Sequence, residues 1–168
     1  SHVHIAYLDK FLDKAYTAAT SLSQQHEIAC AGTVNLLAYL GWLRGGEVFR
    51  AAEDNLDITL PKDGPTRNLP PGIGAVEYRL KAATKTDQTV AADIVIAYET
   101  LSGLSLGKWV NRLRRFTPYN GTGLFSTAKK TTWDSRHFRL NYAIPILEIM
   151  RLAGRGTYPT SVLRPSRK

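Results

Sequence analysis

The chain reads as an α+β protein: one mostly helical domain with a small three-stranded antiparallel sheet. Two observations predict this class. Apolar residues recur at helical spacing through the first 43 residues, alternate like strands between 56 and 98, and return to helical spacing from 106 onward. Turn signals rich in Pro and Gly separate those stretches, and no internal repeat divides the chain. With 168 residues and a 43% hydrophobic fraction, residues 1–168 suit a single domain with its own core.

The elements follow in order. Ile5, Leu8, Phe11, Leu12, Ala15 and Ala18 mark a helix over 5–21. A second, more apolar helix over 24–43 contains Ile28, Val34, Leu36, Leu37, Leu40 and Leu43. After the Gly45-Gly46 break, Glu47 to Ala52 reads as a short third helix. Leu56 to Leu60 alternates as a strand and stops at Pro61-Lys62-Asp63-Gly64, and Gly64 to Gly74 is a loop. Val76 to Leu80 and Val90 to Tyr98 give two further strands, with a polar hairpin tip at Thr84 to Thr89. A helix from Leu106 to Phe116 turns Trp109, Val110, Leu113 and Phe116 to one side and Lys108, Arg112 and Arg115 to the other. Pro118 to Ser126 is loop-like. The last helix runs from Trp133 to Ala153, and Pro145 inside it removes a hydrogen bond and bends it.

Charge distribution is more telling than the net +8. Residues 1–107 carry nine Lys/Arg against twelve Asp/Glu, whereas residues 108–168 carry thirteen against two, a local excess of +11 threaded through foldable sequence. Such a concentrated positive field favours a polyanion, here nucleic acid, over a merely solubilising surface. No apolar run reaches the length of a membrane helix, and no signal peptide opens the chain. The lone Cys30 sits in an apolar helical stretch, which fits a core position in an intracellular protein, cytoplasmic or nuclear. Neither a Walker-type phosphate loop nor a nucleophile elbow occurs. His2, His4, His26 and His137 have no metal-ligand spacing, so no metal or cofactor is expected.

Three short segments carry the candidate chemistry. In Gly41-Trp42-Leu43-Arg44-Gly45-Gly46-Glu47 an Arg ends an apolar helical run, and Glu47, three residues on, shares its face and can hold the guanidinium. The alternative is a plain structural ion pair at a helix end. Lys85 lies in a turn between two strands, and Trp133-Asp134-Ser135-Arg136-His137 opens the last helix, where the macrodipole favours an anion.

In this order the segments resemble the catalytic domain of the tyrosine recombinase, or phage integrase, family, over roughly residues 5–155. The Lys85-Thr86-Asp87-Gln88 form is similar to that of eukaryotic transposon-borne, mobile-element recombinases. The resemblance implies DNA recombination or integration: a Tyr attacks a phosphodiester, forms a phosphotyrosine and releases a 5′-hydroxyl, with no cofactor. Arg44 and Arg136 would steady the phosphate and Lys85 would protonate the leaving oxygen, with Glu47 as support. It further implies duplex DNA as partner, copies assembling on that DNA, and contacts from His137, Lys108, Arg112, Arg115, Lys129 and Lys130. The chain departs from the pattern at two places. Trp133 stands where the family has a His; its indole N–H can donate to a phosphate but cannot transfer a proton. Tyr158 is closer to Arg136 than the family's nucleophile, and the usual nucleophile is not evident. The family's N-terminal DNA-clamping domain is also expected to be missing. Two alternatives stay open: a catalytically inactive DNA-binding descendant, or an unrelated basic nucleic-acid-binding domain.

Overall fold

The structure, a computed structural model, describes residues 2–43, 45–49, 56–59, 74–80, 92–116, 124–125 and 133–154. Helices α1 (His2–Ala18), α2 (Leu22–Leu40) and α3 (Gly45–Phe49) lead into strands β1 (Leu56–Thr59), β2 (Ala75–Leu80) and β3 (Ala92–Ala97). Helices α4 (Leu106–Arg114), α5 (Ser135–Phe138) and α6 (Ile144–Leu152) follow. The chain is mainly helical with a small antiparallel sheet, an α+β architecture. Among the described residues no helix is long and apolar enough to cross a membrane.

Helix α2 is the central element because its sequence is apolar nearly all round: Ala29 through Leu37 are buried without a break. Ser21 caps it by accepting from the Gln24 amide at 3.1 Å, an arrangement offered by the Ser-x-x-Gln spacing. Helices α1 and α4 both pack against it and touch each other through their side chains. All three meet at Trp109 on α4, which is fully buried. A Cβ at Gly32 of α2 would overlap the indole, so only glycine allows this approach. The indole Nε1 donates to the Asp9 carboxylate on α1 at 2.7 Å. Burial pushes the Asp9 carboxyl above its ordinary range, partly offset by the Trp109 bond and the nearby Lys108 charge.

In the sheet, β2 pairs with β1 (Leu56↔Tyr78) and with β3 (Leu80↔Ala92), giving the order β1-β2-β3. Val76 and Tyr78, two apart, turn into the core opposite Ile96 and Ile94, as strand periodicity requires. The Tyr78 hydroxyl donates to the Glu47 carbonyl and ties the sheet to α3.

Element boundaries depart from the sequence expectations where capping chemistry intervenes. Helix α3 starts at Gly45, so the two glycines open it and do not separate it from what precedes; residues 50–52 lie outside the described residues. The helix expected from Trp133 to Ala153 is a continuous helical run from Ser135 to Leu152, widened by a π-helical turn over Arg139–Ala143 in which the Ile144 N–H reaches the Arg139 carbonyl. The cause is Pro145. It lacks an N–H and its ring would strike the preceding turn, and the widened turn leaves it in the first turn of α6, where no donor is needed.

Replacing Trp109 with Phe should cost about 2–3 kcal/mol in urea denaturation, because the Asp9 carboxyl then stays buried without its donor.

Candidate functional site

Helix α3, which opens one residue after Arg44, packs beside α5, which carries Arg136. Arg44 itself, and Lys85, Lys129, Lys130 and Tyr158, lie outside the described residues. Lys85 falls in the connection between β2 and β3. Glu47 is half-buried in α3, and its carbonyl takes the Tyr78 hydroxyl.

Within α5 neighbouring side chains divide sharply. Arg136 is exposed, with no ion pair among the described residues, and its guanidinium fork is free to meet a phosphate. Trp133 turns the other way and is 1% exposed. The expectation that its indole N–H reaches a phosphate is therefore corrected: Nε1 is buried and without a hydrogen-bond partner. The ring lies 4.5 Å from the His137 ring and stacks on Tyr142 at 5.3 Å. It is a packing residue, and its apolar bulk decides its orientation.

His137, expected as a DNA contact, is half-buried and has partners within the fold. Its Nε2 is buried, 3.7 Å from the Glu27 carboxylate, and its Nδ1 lies 3.4 Å from the Asn141 amide. Its backbone N–H is taken by Asp134 at 2.8 Å. That bond also occupies the start of α5, where the sequence suggested room for an external anion; the chain supplies its own carboxylate there.

Tyr142 completes the cluster. Five residues beyond His137 in an ordinary helix, it would be rotated about 140° away. The π-helical turn brings the rings to 6.2 Å. The Tyr142 hydroxyl donates to Glu27 of α2 at 2.6 Å. Burial and the Glu27 carboxylate push the phenol well above its ordinary value of 10.0, which makes it a poor nucleophile. Beside the cluster lies an open groove of about 460 Å³ lined by Ala15, Ala18, Gln24, Glu27, Ile28 and Tyr142. Glu27 was missed in the sequence reading, though it is the sole acidic residue of α2 and that isolation was a usable signal.

Each cation of the basic face expected on α4 also has a partner within the fold, although Arg115 is exposed and Lys108 half-exposed. Lys108 and Arg112 both donate to Asp13 of α1, at 3.1 and 2.7 Å. The Arg112 guanidinium also lies over the rings of Tyr16 and Trp109 at 4.4 and 4.7 Å. Arg115 donates to the Tyr16 hydroxyl at 3.0 Å. Aromatic faces and a carboxylate on α1 satisfy these cations before any phosphate arrives. No family model matches the chain, nor does any curated protein or solved structure.

Two outcomes follow. Trp133→Phe should change stability by less than about 1 kcal/mol, since losing part of the ring is offset by removing an unsatisfied donor; chemical denaturation measures this. The Asp13 carboxyl is raised by burial, but the bonds from Arg112 and Lys108 and their charges outweigh this and hold it below its ordinary 3.8. Its stabilisation is present above 3.8 and fades as pH falls through the lower folded value, so Asp13→Asn should flatten the acid limb of the stability–pH curve.

Proposed function

We propose that this chain is a DNA-binding domain resembling the catalytic domain of a tyrosine recombinase, holding a backbone phosphate between its Arg segments. The observation that carries the reading is the packing of α3 against α5, elements some ninety residues apart in sequence that bear or adjoin the two Arg motifs. The sheet supports it: Tyr78 of β2 bonds to Glu47 of α3, and β2 leads into the connection that holds Lys85. Exposed Arg136 offers two parallel donors to phosphate oxygens and would oppose the charge that grows there if a strand were cut.

Strand transfer would need a Tyr whose phenol loses its proton, forms a bond to phosphorus and expels a 5′-oxygen that takes a proton, the role the resemblance gives to Lys85. Tyr142 does not serve, since its hydroxyl is committed to Glu27; Tyr158 remains the candidate within the chain. A second reading, a DNA-binding descendant without cleavage, is favoured by one observation. Trp133, at the position of the family's His, is buried and away from solvent.

Titrating a fluorescent duplex against salt tests the proposal. Log affinity should fall with log salt by about 0.9 for each phosphate neutralised, and Arg136→Ala should make the slope shallower by about one phosphate while leaving thermal stability unchanged. A flat salt response would reject it. A nicked suicide duplex then separates the two readings, since only a cleaving enzyme leaves a covalent adduct, lost in Tyr158→Phe.

A further inference from the structure

Arg136 stands on a helix that does not hold its own direction. Helix α5 has four residues, and a single helical turn is not stable in isolation. The Asp134 carboxylate caps that turn by accepting the His137 N–H at 2.8 Å. This bond fixes where the helix starts, not how it is set against the rest of the fold. The setting matters for function, because a guanidinium presents two parallel donors to a phosphate only when the backbone beneath it is held.

Helix α2 supplies the hold. Glu27 is the one acidic residue of that helix, and its side chain is 22% exposed. Its carboxylate accepts from the Tyr142 hydroxyl at 2.6 Å and lies 3.7 Å from Nε2 of His137, the residue next to Arg136. Two side chains five residues apart thus meet one carboxylate, since the π-helical turn puts them on the same face. Burial and the Glu27 charge push the Tyr142 phenol well above its ordinary value, so the hydroxyl stays a donor across the working pH range. Trp133, three residues before Arg136, stacks on Tyr142 and closes the cluster. Glu27 therefore joins the segment on both sides of Arg136 to the central helix, whose next residues, Ala29 through Leu37, are buried without a break.

A carboxylate beside the neighbour of a phosphate-binding Arg has a drawback, because its field opposes the anion that the Arg attracts. Apolar packing between α2 and Tyr142 would carry no such drawback. A hydrogen-bonded carboxylate differs from apolar packing in admitting one geometry, and one geometry is what a forked donor requires.

We propose that Glu27 is a positioning residue for phosphate binding: by holding Tyr142 and His137 it sets α5 against α2 and thereby aims the Arg136 guanidinium. Glu27 itself touches no phosphate. The inference rests on the DNA-binding reading above and deepens it, naming the residue that orients the exposed Arg.

Two variants of the full chain test this with a salt-titrated fluorescent duplex. Glu27→Gln keeps the shape of the side chain and removes its charge, adding one unit to a net charge of +8. Long-range electrostatics alone would make that variant bind DNA more tightly. Positioning gives the opposite sign, a loss of about threefold to tenfold. Tyr142→Phe leaves the net charge unchanged and should lose affinity to a similar extent, which carries the test should Glu27→Gln misfold by circular dichroism. Each change is then repeated on Arg136→Ala, where neither should weaken binding further, because the group being aimed is gone.

Unchanged or tighter binding by Glu27→Gln, with Tyr142→Phe equal to the parent, overturns this inference and leaves the DNA-binding reading standing. So does a loss that persists at full size on Arg136→Ala, since a general weakening of the fold would act whether or not Arg136 is present. A parent that binds the duplex with no salt dependence, or not at all, overturns both.

Discussion

The fold depends on how a single indole is accommodated. Trp109 reaches α1, α2 and the rest of α4 at once: Gly32 admits its face, Asp9 takes its N–H, and Arg112 lies over its ring. Tyr16 meets it edge-on at 6.2 Å. Each partner enforces the next. The buried Asp9 carboxylate needs the indole donor and the charges of Lys108 and Arg112 around it. Those cations are held in turn by Asp13, one helical turn further along α1. The arrangement fixes the α1–α4 angle more firmly than apolar contact alone, since a hydrogen-bonded network inside a core tolerates only one geometry.

This has a direct consequence for function. Cations at helical spacing on an amphipathic helix look like a phosphate-binding stripe, and on α4 they are structural first. Arg112 retains a fifth of its side-chain exposure and Lys108 two-fifths, so Lys108 keeps more freedom to serve a ligand as well. The α5 segment shows the opposite partition. Trp133 and His137 turn inward on Tyr142 and Glu27, and Arg136, one residue before His137, stays in solvent. The π-helical turn forced by Pro145 underlies that partition, because without the extra residue Tyr142 would not fall on the same face as His137.

The sequence is most legible where one physical rule dominates. Helical periodicity located α1, α2 and α4, and alternation located the strands to within two residues, because burial of one face sets both patterns. Pro145 announced an irregularity in the last helix; a bend was expected, and the chain answered with a wider turn. Legibility fails where two partners compete for one group. Nothing in the order of residues tells whether Arg112 meets a phosphate or Asp13, since that choice belongs to tertiary packing. Glu27 escaped notice for the same reason: its partners, Tyr142 and His137, lie more than a hundred residues away.

The departures from local rules are not scattered. A left-handed, exposed Trp42 closes α2 just before α3. A buried Trp133 with an unsatisfied indole N–H stands just before α5. Each opposes stability, one through backbone strain and exposed apolar surface, the other through a desolvated donor. Helices α3 and α5 pack on each other, so both departures adjoin the same helix pair, and so do the two Arg segments. Chains that otherwise obey propensity, capping and burial rules concentrate their exceptions where function demands them. Both departures thus lie beside the helix pair that the proposed phosphate site uses, one at the end of α2 and one at the start of α5.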